Sequence, residues 1–153
     1  LAATVALEHF TAIMAYNLLT DPQPLPGAPR EILRLWQWHA IEELEHKSVA
    51  YDTYLLATAN LSPWRRWSIR CQLMLLIGMQ FWRSNFRHMA DFFRQDGINT
   101  PRTWLSVARF LLVRPGMLRK IFLPYLRFYR PGFHPWNHDD RALIAATERR
   151  LAM

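Results

Sequence analysis

The run HAIEELEH at 39–46 sets two imidazoles and a carboxylate, His39, Glu43 and His46, at spacings of four and three residues. A helix stacks side chains with those spacings on one face. At about 100° per residue, His39 falls roughly 40° and His46 roughly 60° to the same side of Glu43, so one narrow arc carries three donors. Imidazole and carboxylate together suit Zn, Fe, Mn and related ions, and a GluxxHis step is the one that dinuclear sites inside helical bundles use. The candidate chemistry is metal binding. Glu42 lies at the edge of the arc, about 100° from Glu43, while Glu45 lies about 160° away and points elsewhere. The competing reading is a solvated charged face with a small Glu43–Lys47 i,i+4 pair. Trp36, Trp38, Ile41, Leu44, Val49 and Tyr51 flank the run, and these apolar neighbours predict burial, where a charge needs a partner.

A single helix face leaves an ion under-coordinated, so a second helix must add a donor. Glu8 is the candidate, a lone carboxylate in the apolar stretch ATVALEHFTAIMA that is costly to bury unless paired or ligated. Thr4 and Ala12, four residues to either side, are small and leave room for an ion. His9 sits about 100° round the helix and so points away from any site that Glu8 faces; a hydrogen-bonded supporting role is the alternative for it.

The elements that must position these residues are helices. With 153 residues, 51% hydrophobic and 14% aromatic, the chain is long enough for one domain with a sizeable core. Cys71 is the single cysteine, so no intrachain disulfide forms and the simplest role for it is a small buried apolar residue. Residues 2–19 predict a first helix, DPQPLPGAP at 21–29 a loop, and about 30–58 a second helix carrying the HAIEELEH run. Ser62 and Pro63 start a third as N-cap and N1, running to about Gln95 with Gly97 just beyond its end. Cys71–Trp82 within it is apolar, but twelve residues are too few to span a membrane. Thr100 and Pro101 start a fourth helix, which Pro115 breaks or restarts and which ends near Phe128. The loop RPGFHPWN follows, and Asn137 with Asp140 three residues on opens a last amphipathic helix to about Ala152.

Charge divides the chain. Residues 1–60 carry three basic and seven acidic groups, residues 61–153 sixteen basic and five acidic. The acidic part holds the metal-ligand helices. In the basic part, Arg65, Arg66, Arg70, Arg83, Arg87 and Arg94 alternate with Trp64, Trp67, Trp82, Phe86 and Phe93. Such a helix either rims a core with snorkelling arginines or lies on an anionic membrane surface; no nucleic-acid fold or motif accompanies the charge. His134, His138, Asp139 and Asp140 form a further group of donors, read more simply as an ordered loop that caps the last helix.

The segments ALEHFTA at 6–12, WHAIEELEHKSVAYDTY at 38–54 and YRPGFHPWNHD at 129–139 resemble the C-terminal part of the family described as predicted metal-dependent hydrolases, whose members look ferritin-like. The resemblance implies an all-α bundle in which two helices each give a glutamate and two give a GluxxHis pair. Glu8 then corresponds to a lone glutamate, and Glu43 with His46 to a GluxxHis pair. His39 lies outside that minimal set, although a HisxxxGluxxHis helix is similar to that of di-iron arylamine N-oxygenases. The remaining half of the site is expected from upstream helices of a longer chain, or from a second copy across a twofold axis; the start at Leu1 without Met favours the former.

Two ions, of Fe, Mn or Zn, are expected in the complete site, where they activate water for hydrolysis or, as iron, activate dioxygen. Hydrolysis needs a general base near the metal, for which Glu42 is the candidate. Oxygen chemistry would draw on Tyr16, Tyr51 or Tyr54, whose simpler role is core packing. The substrate is an unassigned small molecule. The expected location is cytoplasmic, with a peripheral membrane contact as the alternative.

Overall fold

A computed structural model describes residues 1–21 and 25–152. They form seven α-helices, α1 (Ala2–Thr20), α2 (Arg30–Glu45), α3 (Val49–Ala57), α4 (Pro63–Gln95), α5 (Pro101–Leu112), α6 (Met117–Arg127) and α7 (Arg141–Leu151), with a 3-10 turn at Pro135–Asn137. No strand occurs among the described residues, so the all-α expectation holds. No helix there is long and apolar enough to cross a membrane.

The helix starts follow local chemistry. The Ser62 hydroxyl accepts from the Arg65 amide and the Thr100 hydroxyl from the Thr103 amide, and each cap is followed by proline, whose missing N–H costs nothing at N1. Gly97 ends α4 in the left-handed region, φ +69°, as a C′ glycine does. The fourth predicted helix is divided, as its proline requires. Between α5 and α6, Gly116 has φ +70°, and a Cβ there would meet Arg119 Nε at 2.7 Å and the Val113 carbonyl at 3.0 Å.

Helix α1 is the hub, touching α2, α3, α4 and α6. Its ends enter two cores. Val5, Ala6 and Phe10 pack with Tyr51, Tyr54, Met74 and Phe128; Ala12, Ala15 and Leu19 pack with Ala40, Ile41, Leu44 and Ile144. Small residues let α1 and α2 approach closely, and α2 runs back along α1 so that the start of one meets the end of the other. Tyr51 and Tyr54 spend their hydroxyls structurally, on the carbonyls of Phe133 and Arg66, and Cys71 is buried.

Three local expectations are corrected by long-range contacts. The single helix predicted over 30–58 is interrupted at His46–Ser48, where Lys47 is drawn into a buried pair with Asp140, Nζ to Oδ2 2.6 Å. The last helix begins at Arg141 rather than at Asn137, which belongs to the 3-10 turn. Asp140 occupies the N-cap position without a side-chain cap bond, its carboxylate being committed to Lys47. Arg70 does not snorkel: it is 3% exposed, lies against the rings of Tyr51, Phe128 and Phe133 and donates to the Arg130 carbonyl at 3.0 Å.

His9 is likewise interior. Its Nε2 donates to the Pro124 carbonyl at 3.2 Å, since a carbonyl only accepts, and its ring meets Phe128 and Phe133. Burial lowers its pKa to about 4, helped by the positive charges of Arg70 and Lys47 and opposed by the Pro124 bond. The unfolded chain takes up this proton near pH 6.5 and the folded chain only near 4, so the stabilisation is full above about 6.5 and is lost as pH falls toward 4. Urea unfolding between pH 7 and about 4.5 should show His9 removing about 2–3 kcal/mol. His9→Gln, which keeps a donor without titrating, should flatten that slope; an unchanged slope contradicts the assignment.

Candidate metal centre

Glu8 projects from the first half of α1, and Glu43 from the last turn of α2. His46 caps α2 with φ −99° and ψ 10°, outside the regular helix. One ligand atom from each of Glu8, Glu43 and His46 lies within 4.8 Å of the others. Among the described residues this is the group of three or more such side chains that converges closely enough to hold an ion.

The electrostatics of the group are unbalanced. Glu8 Oε2 stands 3.7 Å from His46 Nδ1, beyond hydrogen-bond length, and is buried with no hydrogen-bond partner. The Glu43 side chain is 16% exposed. Two carboxylates held together, one with an orphaned buried oxygen, carry a desolvation cost that a cation removes. The donor set of two carboxylates and an imidazole suits Zn, Fe or Mn.

The sequence candidates separate in space. His39 Nε2 lies 3.4 Å from Glu43 Oε1 on the solvent side, with its side chain 52% exposed, and stays outside the converging group. Glu42 is partly buried and Glu45 exposed, and neither joins it. Trp36 and Trp38 are about half exposed, at 50% and 53%, so the apolar flank of the run does not enclose His39. On the helical arc, Ile32 and Trp36 fall within about 20° of Glu43 and are 44% and 50% exposed, so an exposed apolar strip continues the donor face toward the start of α2.

What sequence reasoning missed is the device that aims His46. Lys47 is 5% exposed and Asp140 3%; the ammonium also donates to the His138 carbonyl at 2.6 Å and lies 4.1 Å from the centre of the Trp136 ring. Trp136 Nε1 in turn donates to the Ser48 hydroxyl at 3.2 Å. The signal for it was a lysine inside an apolar helix and two aspartates in the RPGFHPWNHDD loop, 93 residues apart. That loop is ordered by its own contacts: His134 Nδ1 accepts from the Trp136 amide at 3.2 Å, so Nε2 donates to Asp52 Oδ1 at 2.9 Å. The bond from His134 holds the Asp52 carboxyl below its usual range. Between α1, the end of α2 and residues 124–140 lies a cleft of about 650 Å³, with Lys47, Arg127, Arg130 and His138 among its walls.

A family model described as predicted metal-dependent hydrolase matches residues 1–139, most of the chain, and the chain belongs to that family. No curated protein and no solved structure matches it.

Breaking the Lys47–Asp140 pair from one side strands a buried charge. Lys47→Met should cost about 3–5 kcal/mol in chemical denaturation. Adding Asp140→Leu should recover most of it, because replacing both members with apolar groups is close to neutral. A loss in the double variant as large as in the single one would show that the pair is not the unit.

Proposed function

We propose that this member of the predicted metal-dependent hydrolases binds a divalent cation through Glu8, Glu43 and His46 and hydrolyses a small-molecule substrate there. The observation that carries the proposal is the buried Glu8 Oε2, which has no hydrogen-bond partner and lies among two further donor side chains within 4.8 Å. A cation bound there supplies Lewis-acid polarisation of a scissile bond and lowers the pKa of a coordinated water. The protein's own part is positional. Glu8 and Glu43 neutralise the ion, the α2 cap turns His46 toward them, and His39 steadies Glu43 from outside at 3.4 Å. Glu42, on the adjoining arc, is the candidate to accept a proton from the attacking water.

Three donors leave coordination positions open, and His46 and His39 face solvent amid exposed apolar side chains. We infer that a further helical pair, from the rest of a longer chain or from a second copy, covers this face and completes a ferritin-like dinuclear set with two ions.

Metal titration by calorimetry with Zn²⁺ and Mn²⁺ tests the centre directly. Glu43→Ala and His46→Ala should abolish tight binding. His39→Ala should weaken it by about 10- to 100-fold, the usual cost of losing a supporting residue, and Glu45→Ala should leave it unchanged. The hydrolytic assignment requires metal-dependent cleavage in a panel of carboxylate and phosphate esters that disappears in Glu43→Ala. Metal retained in Glu43→Ala refutes the centre; oxygen consumption on loading with ferrous iron, without ester cleavage, refutes hydrolysis.

A further inference from the structure

Helices α4 to α6 present a surface that the metal centre does not use. Between Pro63 and Arg127 the chain carries twelve arginines and lysines, of which Arg70 alone is buried, and two acidic residues, Asp91 and Asp96. Arg94 pairs with Asp91, and Lys120 with Asp21, so a large positive surplus remains on this end. Large apolar side chains stand among these charges rather than beneath them. Leu105 is 71% exposed, Leu123 64% and Phe122 58%.

The geometry of α5 and α6 makes these exposures systematic. Neither helix buries a residue. Each turns one side to an apolar chamber of about 580 Å³ shared with α1 and α4, into which α5 directs Thr103, Val107 and Phe110. Leu105 and Leu112 project roughly 150–170° away from that side, and Leu123 of α6 projects about 160° away from its chamber residues. Arg102 and Arg109 fall between the two apolar sides of α5. A helix that is apolar on its protein side and again on its outer side, with cations between, fits water on neither. It fits the boundary of a bilayer, where apolar side chains enter below the headgroups and arginines remain at the phosphates.

We propose that the α4–α6 surface docks on an anionic lipid bilayer, lying in its headgroup boundary without crossing it. Charge selects this occupant. An anionic leaflet is a laterally continuous negative surface, which matches cations spread over three successive helices, and no helix among the described residues is long and apolar enough to span. The proposal is independent of the metal centre, whose ligands all lie on α1 and at the end of α2.

Co-sedimentation of the chain with phosphatidylcholine vesicles tests it, with about 30% phosphatidylglycerol or with none. At about 0.05 M salt, binding should be at least about tenfold stronger to the anionic vesicles, and it should fall at least about tenfold at about 0.5 M salt. Arg102→Glu/Arg109→Glu should lose binding. Leu105→Ser/Leu123→Ser, at unchanged charge, should lose at least about tenfold, because the buried apolar area contributes with the charge. All four positions are exposed, and circular dichroism checks that each variant stays helical. The behaviour of the unsubstituted chain decides the matter even if a variant fails to fold. Absence of binding at low salt overturns the proposal, as does equal binding to both vesicle types. Full binding by the folded leucine variant overturns it by showing adsorption through charge alone, and self-association that abolishes vesicle binding assigns the surface to a second copy instead.

Discussion

A lysine ammonium with almost no access to water needs a carboxylate, and Lys47 finds Asp140 on the far side of the chain sequence. Meeting it requires the helix begun at Arg30 to stop at Glu45, so that residues 46–48 turn out of the helical path. His46 is carried by that turn, and so is Ser48, whose hydroxyl takes the Trp136 indole bond. The pair is weak evidence of stability in itself, since desolvation offsets much of its attraction. What it supplies is placement: it ties the last turn of α2 to the 135–140 segment and brings His46 to face Glu8 on α1. The loop, the helix break and the donor group form one arrangement with a common cause.

Helix α1 shows how a single short element serves two purposes. Its small residues, Ala12 and Ala15, let α2 lie close enough for a carboxylate on each helix to converge with the cap histidine. Its neighbouring surface holds His9 in an aromatic enclosure with Phe128 and Phe133, where the fixed charge of Arg70 helps keep the imidazole neutral. Successive residues, Glu8 and His9, thus face different environments about 100° apart: one leaves an oxygen without a partner, the other has its hydrogen bond to the Pro124 carbonyl.

The features legible in the sequence were those decided within a few residues. The caps at Ser62 and Thr100, the glycine ending α4, the break near Pro115 and the all-helical character depend on local hydrogen bonds and backbone preferences. Glu8, expected from a lone carboxylate in an apolar helix, and Glu43, expected from helical spacing, converge with His46 within 4.8 Å. The features that were not legible are decided by contacts between different segments of the chain: the interruption at His46–Ser48 through Lys47 and Asp140, the burial of Arg70 against three rings, and the late start of α7 because Asp140 is committed elsewhere. Apolar composition misled in one place. Trp36 and Trp38 signalled burial around His39, yet both are half exposed, because periodicity identifies an apolar face without identifying what covers it.

The position of the donor group at the edge of the fold has a bearing on how the protein matures. In small zinc domains the ion is part of the folding reaction, and the polypeptide has no ordered state without it. Here Glu8, Glu43 and His46 belong to neither hydrophobic core, and the tie that orients His46 is made by Lys47 and Asp140 rather than by a ligand. On the proposed function, the polypeptide completes its fold first and acquires the ion afterwards. Availability of metal would then set the fraction of active molecules and add to the stability of a chain already folded.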